Sequence, residues 1–437
     1  MRTTSPRCLP GGSKRGRPVR GGLAALCLTA AVAGRVLGAE VQAPPAPTAS
    51  PSPSPEASPA APAPASPSMS PPEVRVVPYG LVFVNGFSNS GGTNNVDIPL
   101  FATPGAANVG STARGTRLGI RMTGATVGSA KLSGLVEADF FGGFPAIGIG
   151  DSMGGVRLRV ALARVDWTRT TLVAGQDWMV FAPLNPVSIA CHGIPLMAAS
   201  GNAWARLPQL RLERRAGALT AQAAVLAPST GDFSSAFFAQ PASGGMSRLP
   251  FFQARLTVSS KQWAGSGKPA SIGISGHYGR SRTIVASTNF DRDSAAGALD
   301  WSVPLGHRVT VSGEAFAGEN LAGFQAAVFQ GLNPDPVPAA GPRPITTRGG
   351  WAQLGVAATD ELTFYGTYGL DDPDDQDLVS SSKHDWRTKN ESVALSFVHK
   401  ASERFSWSVE ARQARTTLLQ SGRHGNVHVN VGASLAF

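Results

Sequence analysis

Arginine recurs at alternating positions within short apolar runs. Arg117 and Arg121 bracket Leu118 and Ile120, Arg157 and Arg159 flank Leu158, Arg211 separates Leu210 from Leu212, and Arg255 separates Ala254 from Leu256. A guanidinium presents paired N–H donors that match a carboxylate or a phosphate. Arg117, Arg121, Arg157, Arg159, Arg211 and Arg255 are therefore the candidate anion-recognising set. Glu137 and Asp139 stand in the run between the two arginine pairs, and Glu213 follows Arg211 on one face. Two readings stay open: a basic surface that prefers anions, or a surface whose charge is cancelled by cross-strand pairs.

Other reactive residues build no site. Cys191 and His192 are neighbours, but a thiolate–imidazole pair needs a spatial geometry that adjacency does not supply. Gly265-Ser266-Gly267-Lys268 lacks the spacing of a phosphate-binding loop and runs into Pro269. Asp371, Asp372, Asp374, Asp375 and Asp377 crowd one segment, without the glycine and final glutamate of a calcium-binding EF-hand. His277 and His428 are isolated polar residues. No catalytic residue, metal site or cofactor is expected.

The elements that would carry the arginines are strands. From Glu73 onward there is no sustained helical periodicity. Segments of alternating character fall at 75–86, 116–125, 131–141, 156–166, 171–181, 206–215, 218–227, 250–260, 270–280, 296–304, 307–317, 350–358, 361–370, 391–400, 403–413 and 426–437. A tilted strand crosses a bilayer in about 9–11 residues, and bacterial barrels use even strand numbers. Connections alternate in length: 126–130, 167–170, 216–217, 305–306, 359–360 and 401–402 are short, whereas 87–115, 182–205, 228–249, 318–349 and 371–390 are long. Short periplasmic turns opposite long external loops are the outer-membrane pattern. The expected fold is all-β, a transmembrane antiparallel β-barrel of about 16 strands.

Parity agrees. Leu118, Ile120 and Met122, Val156, Leu158 and Val160, Leu210 and Leu212, and Phe252 and Leu256 would face lipid, with the charged residues between them facing a wet lumen. Val165 and Trp167 have the opposite parity to Leu162, which suggests a bulge at 164–167. Tyr79, Trp167, Phe181, Trp263, Trp351, Trp407 and Phe437 stand near strand ends, where an interfacial girdle would lie. The last run, Val427 to Phe437, alternates without a break and ends on an aromatic residue.

The front of the chain has a basic stretch, a short apolar run at 21–34 and Leu37-Gly38-Ala39 before Glu40, the layout of a cleaved secretory signal peptide. A mis-started N-terminus is the alternative. Residues 40–72 form a Pro/Ala/Ser-rich periplasmic linker, either a plain solvated spacer or a tether touching peptidoglycan. Residues 73–437 form the barrel. Of 38 Lys and Arg, seven precede residue 40, so the remainder has 31 against 28 acids. The high isoelectric point is thus mostly a leader effect, and it does not argue for nucleic acid. Beyond the leader Cys191 stands alone, so no intrachain disulfide is expected.

The ordered set Tyr79-Gly80, Arg117-Leu118-Gly119-Ile120, 134–142 (GLVEADFFG), 156–161 (VRLRVA) and Gly175-Gln176-Asp177-Trp178 resembles the DcaP-like outer-membrane porins. The family has a His or other polar residue where Val160 stands, and some members carry an N-terminal coiled coil where this chain has its Pro-rich tract. The resemblance implies a homotrimer in the outer membrane, in contact with lipid and lipopolysaccharide, that passes small anionic or carboxylate-bearing solutes. In porins of this size the connection after the fifth strand narrows the pore. Here that connection is 182–205, with Asn185, Ser188 and His192 as its candidate polar contacts; an ordinary external loop or a trimer contact is the competing reading. Passive diffusion is the expected function, and a structural or adhesive barrel protein is the alternative. A barrel enzyme would need converging acids, His or Ser, and an energy-coupled transporter would need a folded plug.

Overall fold

The computed structural model describes residues 74–437 except 144–153, 231–240, 264–266 and 286, so the leader and the Pro-rich tract lie outside the described residues. The strands in chain order are β1 Arg75–Asn89, β2 Asn108–Thr112, β3 Arg117–Thr123, β4 Thr126–Val127, β5 Ala130–Asp139, β6 Arg157–Asp166 and β7 Thr170–Trp178. Next come β8 Arg206–Ala216, β9 Leu219–Leu226, β10 Phe251–Ser260, β11 Ala270–Val285, β12 Thr288–Leu305 and β13 Val309–Glu319. The last are β14 Leu332–Asn333, β15 Arg343–Pro344, β16 Thr346–Ala357, β17 Leu362–Pro373, β18 Arg387–Lys400, β19 Phe405–Leu418 and β20 Gly422–Ala436.

β14 and β15 make a small ribbon within one connection, and all other strands belong to one antiparallel sheet. β2 and β3 pair in succession with β1 and form one stave, which β4 extends against β5. The result is a barrel of sixteen staves. It closes where β1 meets β20, from Leu81 opposite Ala436 to Asn89 opposite His428. Gly80 and Phe437 exchange two more backbone hydrogen bonds there, of 3.2 and 3.1 Å. Closure pairs the two edges of the large sheet with each other, which a structure standing in lipid requires.

Alternation sorts the side chains by solvent. Val427, Val429, Val431 and Leu435 are exposed on the outside of β20, while Asn426, His428 and Asn430 are buried inside. Leu118, Ile120, Leu158, Leu210, Leu212, Phe252 and Leu256 are likewise exposed. At one end the chain reverses in tight turns at 167–169, 217–218, 306–308, 358–361 and 401–404. Gly217 adopts φ +60°, a left-handed conformation that glycine takes without steric cost.

Three expectations are corrected. Residues 281–295 and 414–425 lie between the expected strands, but β11 continues to Val285 and β12 begins at Thr288, and β19–β20 continue as a ribbon to a turn at 419–421. Beyond the bilayer a strand needs no apolar face, so the alternation that marks it in sequence stops. Arg280–Asp293 and Arg282–Asp291 ion pairs of 2.9 and 2.6 Å link β11 to β12 instead. Val160 points inward. A bulge sets Glu137 opposite Val160 but Ala138 opposite Leu158, leaving Arg159 as the extra residue and reversing parity for the rest of β6. The bulge inferred at 164–167 is therefore real but lies earlier. Tyr79, Phe181 and Trp351 also leave the girdle: Tyr79 donates to Glu137, Trp351 donates to Glu314, and Phe181 is buried among apolar loop residues.

Candidate functional site

The connection 179–205 runs inside the barrel and makes a circuit of its wall. Val180 and Phe181 donate backbone N–H bonds to Gln253 on β10, and Ala182 donates to Ser275 on β11. Leu184 donates to Glu314 on β13, Val187 to Gln353 on β16, and the Ser188 hydroxyl to Glu410 on β19. The loop next crosses toward β3 and β6 and returns past β18, where Asn390 donates to the Ala199 carbonyl. Gly201 lies so close to Gly350 that a side chain would meet its carbonyl oxygen at 2.0 Å. A lumen-facing polar row thus satisfies backbone groups that would otherwise be buried without partners. Two further connections fold in above: Asn390 holds the Leu100 carbonyl, and Asp371 accepts from the backbone of Ala327 and Val328.

Where the loop crosses, the wall is charged. Arg157 grips Asp139 through two bonds of 3.0 and 2.6 Å. Arg159 bridges Glu137 and Asp139 at 2.7 Å each, and Arg117 lies 3.5 Å from Glu137. Arg211 pairs with Asp177 at 2.9 Å and Glu213 at 3.0 Å. The guanidiniums also cradle the loop: Arg117 and Arg159 donate to the His192 carbonyl at 3.1 Å, and Arg157 donates to that of Gly193 at 2.7 Å. Together with Arg206, this group sets five guanidiniums against four carboxylates.

A cavity of about 330 Å³ lies between wall and loop, bordered by Arg117, Glu137, Arg159, Asp177, Asn185, His192 and Arg206 among others. Asn185 accepts from Asn202 at 3.1 Å. The His192 ring stands edge-on to Phe83, 4.9 Å between centroids, and its Nε2 has no partner. Burial, reinforced by the charges of Arg117 and Arg159, pushes this imidazole down to about 4. Burial raises the neighbouring Cys191 thiol far above its ordinary value, so it offers no thiolate.

The barrel is similar to solved outer-membrane channels. The outer membrane channel DcaP of Acinetobacter baumannii matches at TM-score 0.65 and 17% identity, over 83% of this chain and 97% of that one. The fold is that of the DcaP barrel. An anion-selective porin from Comamonas acidovorans matches at TM-score 0.54 and 16% identity, over 84% of this chain and 100% of its own. OmpF of Salmonella typhi, in complex with daunomycin, matches at 0.52 and 10%, over 83% and 97%. No family model and no curated protein matches the sequence.

The structure brings Arg117, Arg157, Arg159, Glu137, Asp139 and His192 together, with Arg211 adjoining through Asp177. It places two others apart. Arg255 is bound bidentately to Asp300 at 3.0 and 2.6 Å, and Arg121 lies 5.3 Å from the Tyr79 ring centre. Asp371, Asp372 and Asp377 take separate partners in Val328, Arg348 and Thr346, and no metal-holding group of His, Cys or acids occurs among the described residues. Sequence reasoning missed Arg206. By alternation it belongs to the lipid-facing row of Pro208, Leu210 and Leu212, but it is the first residue of β8, where the pleat no longer dictates direction. It turns to donate to the Gly193 carbonyl at 3.4 Å. The approach of Trp178 before it and Trp204 beside it was the available signal.

Proposed function

We propose that this protein is a passive outer-membrane porin for small hydrophilic solutes, with a preference for anionic or carboxylate-bearing ones. The observation that carries this reading is the loop 179–205 laid within a polar lumen, against a wall cluster in which guanidiniums outnumber carboxylates. Width and lining charge then set the barrier for each solute, and no catalytic group is required. The anion-selective porin from Comamonas acidovorans, similar in fold, supports the preference. In this reading Asn185, Ser188 and His192 belong to the narrowing loop, and Arg117, Arg157, Arg159 and Arg211, with Glu137 and Asp139, form its charged face. Residues 1–39 are a leader removed on export, 40–72 are a periplasmic spacer, and the barrel works as a homotrimer.

The test is a planar-bilayer recording of the purified protein in a salt gradient. Discrete channels with a reversal potential on the anion side are expected. A refolded barrel that gives no reproducible channel would overturn the reading.

A further inference from the structure

We propose that Arg206 is the residue that sets the anion preference of this channel, by offering its uncompensated edge to a solute carboxylate. The inference rests on the porin reading and names the charge within it that acts. Three arginines border the 330 Å³ cavity: Arg117, Arg159 and Arg206. Glu137 lies 3.5 Å from the first, and Glu137 and Asp139 each pair with the second at 2.7 Å. Among the described residues Arg206 has no such partner. Its one side-chain hydrogen bond is a long 3.4 Å contact to the Gly193 carbonyl, and its Nε, like that of Arg117, is buried with no partner. Asp177, on the same cavity, is engaged by Arg211 at 2.9 Å.

Position and chemistry agree. The guanidinium carbon lies 4.4 Å from the Trp178 ring centre and 5.1 Å from that of Trp204. Aromatic faces hold a cation electrostatically without cancelling its charge. A charge removed from water without a counter-ion is costly, and a passing carboxylate lowers that cost by pairing with the fork. Arg159 already spends its donors on Glu137, Asp139 and the His192 carbonyl, and Arg117 is held by that carbonyl and by its ion pair with Glu137. Arg206 gives up only one weak contact to receive a solute, which lets the solute both bind and leave.

Salt-gradient reversal potentials decide the matter, measured on the wild type and on R206Q, R206K and R423Q. Heat-dependent gel mobility confirms that each barrel is folded. Arg423 is an exposed cation 3.3 Å from Glu391, outside the cavity, and controls for loss of one positive charge. R206Q is expected to lose the anion preference, its reversal potential moving to zero or beyond, while R206K and R423Q keep it. A folded, conducting R206Q with the wild-type potential overturns the assignment and leaves the porin reading standing. Absence of any channel from the wild type defeats the porin reading itself.

Discussion

His192 illustrates how the lumen selects a protonation state. Its ring is buried, and the charges of Arg117 and Arg159 oppose another cation there, so the neutral form is kept down to about 4 against 6.5 for an ordinary imidazole. Between those values the unfolded chain binds more protons than the folded one, so stability falls as pH falls. The contribution is whole above 6.5 and is lost progressively toward 4. Acidification across that window is expected to lower the urea concentration at which the barrel unfolds, and H192Q should flatten the decline; an equal slope in both proteins would remove His192 as its source. The alternating arginines were legible in the sequence because one-residue parity marks a wet face. Their pairing was legible only as an alternative, since it depends on which strands lie side by side and on a single bulge residue, Arg159. Arg206 was hidden by the same parity rule that revealed the others.

Among elements, the loop 179–205 depends on acids of the wall more than on its own sequence. Glu314 accepts from Leu184 N–H and from the Trp351 indole. Removing an acceptor from buried donors costs about 2 kcal/mol. E314A is therefore expected to loosen the loop, to destabilise the barrel by about that amount, and to raise current noise in single-channel records; a quiet, equally stable variant would show that other anchors suffice. The loop's inward packing is legible in its apolar residues, of which Leu196 and Met197 are fully buried. Its circuit was not, because the anchors Glu314, Gln353 and Glu410 look in sequence like any other lumen residues. Strand number was legible from the alternation, and strand length was not. β11 and β12 outrun their apolar stretch and are paired by Arg280, Arg282, Asp291 and Asp293, a pattern that reads as a polar loop.

At the scale of the molecule, the barrel is sealed by its two ends, β1 and β20. The sheet closes on itself within residues 75–436, so residues 74–437 alone are expected to refold in detergent to a heat-modifiable barrel with the conductance of the longer chain. Failure to refold would assign the Pro-rich tract a part in the fold. The circuit of the loop also orders events in time. Ser188 finds its acceptor, Glu410, 222 residues farther along the chain, and the Ala199 carbonyl finds Asn390 after 191. While only the early staves exist, the loop is held at His192 and Gly193 by Arg117, Arg157 and Arg159 alone, and Leu196 and Met197 lack the cover of Trp351 and Ala394. Its shape is fixed when the final staves arrive. Until then the sheet is an open wall around nothing, and a chaperone that grips the uncovered loop would hold the assembly at that stage.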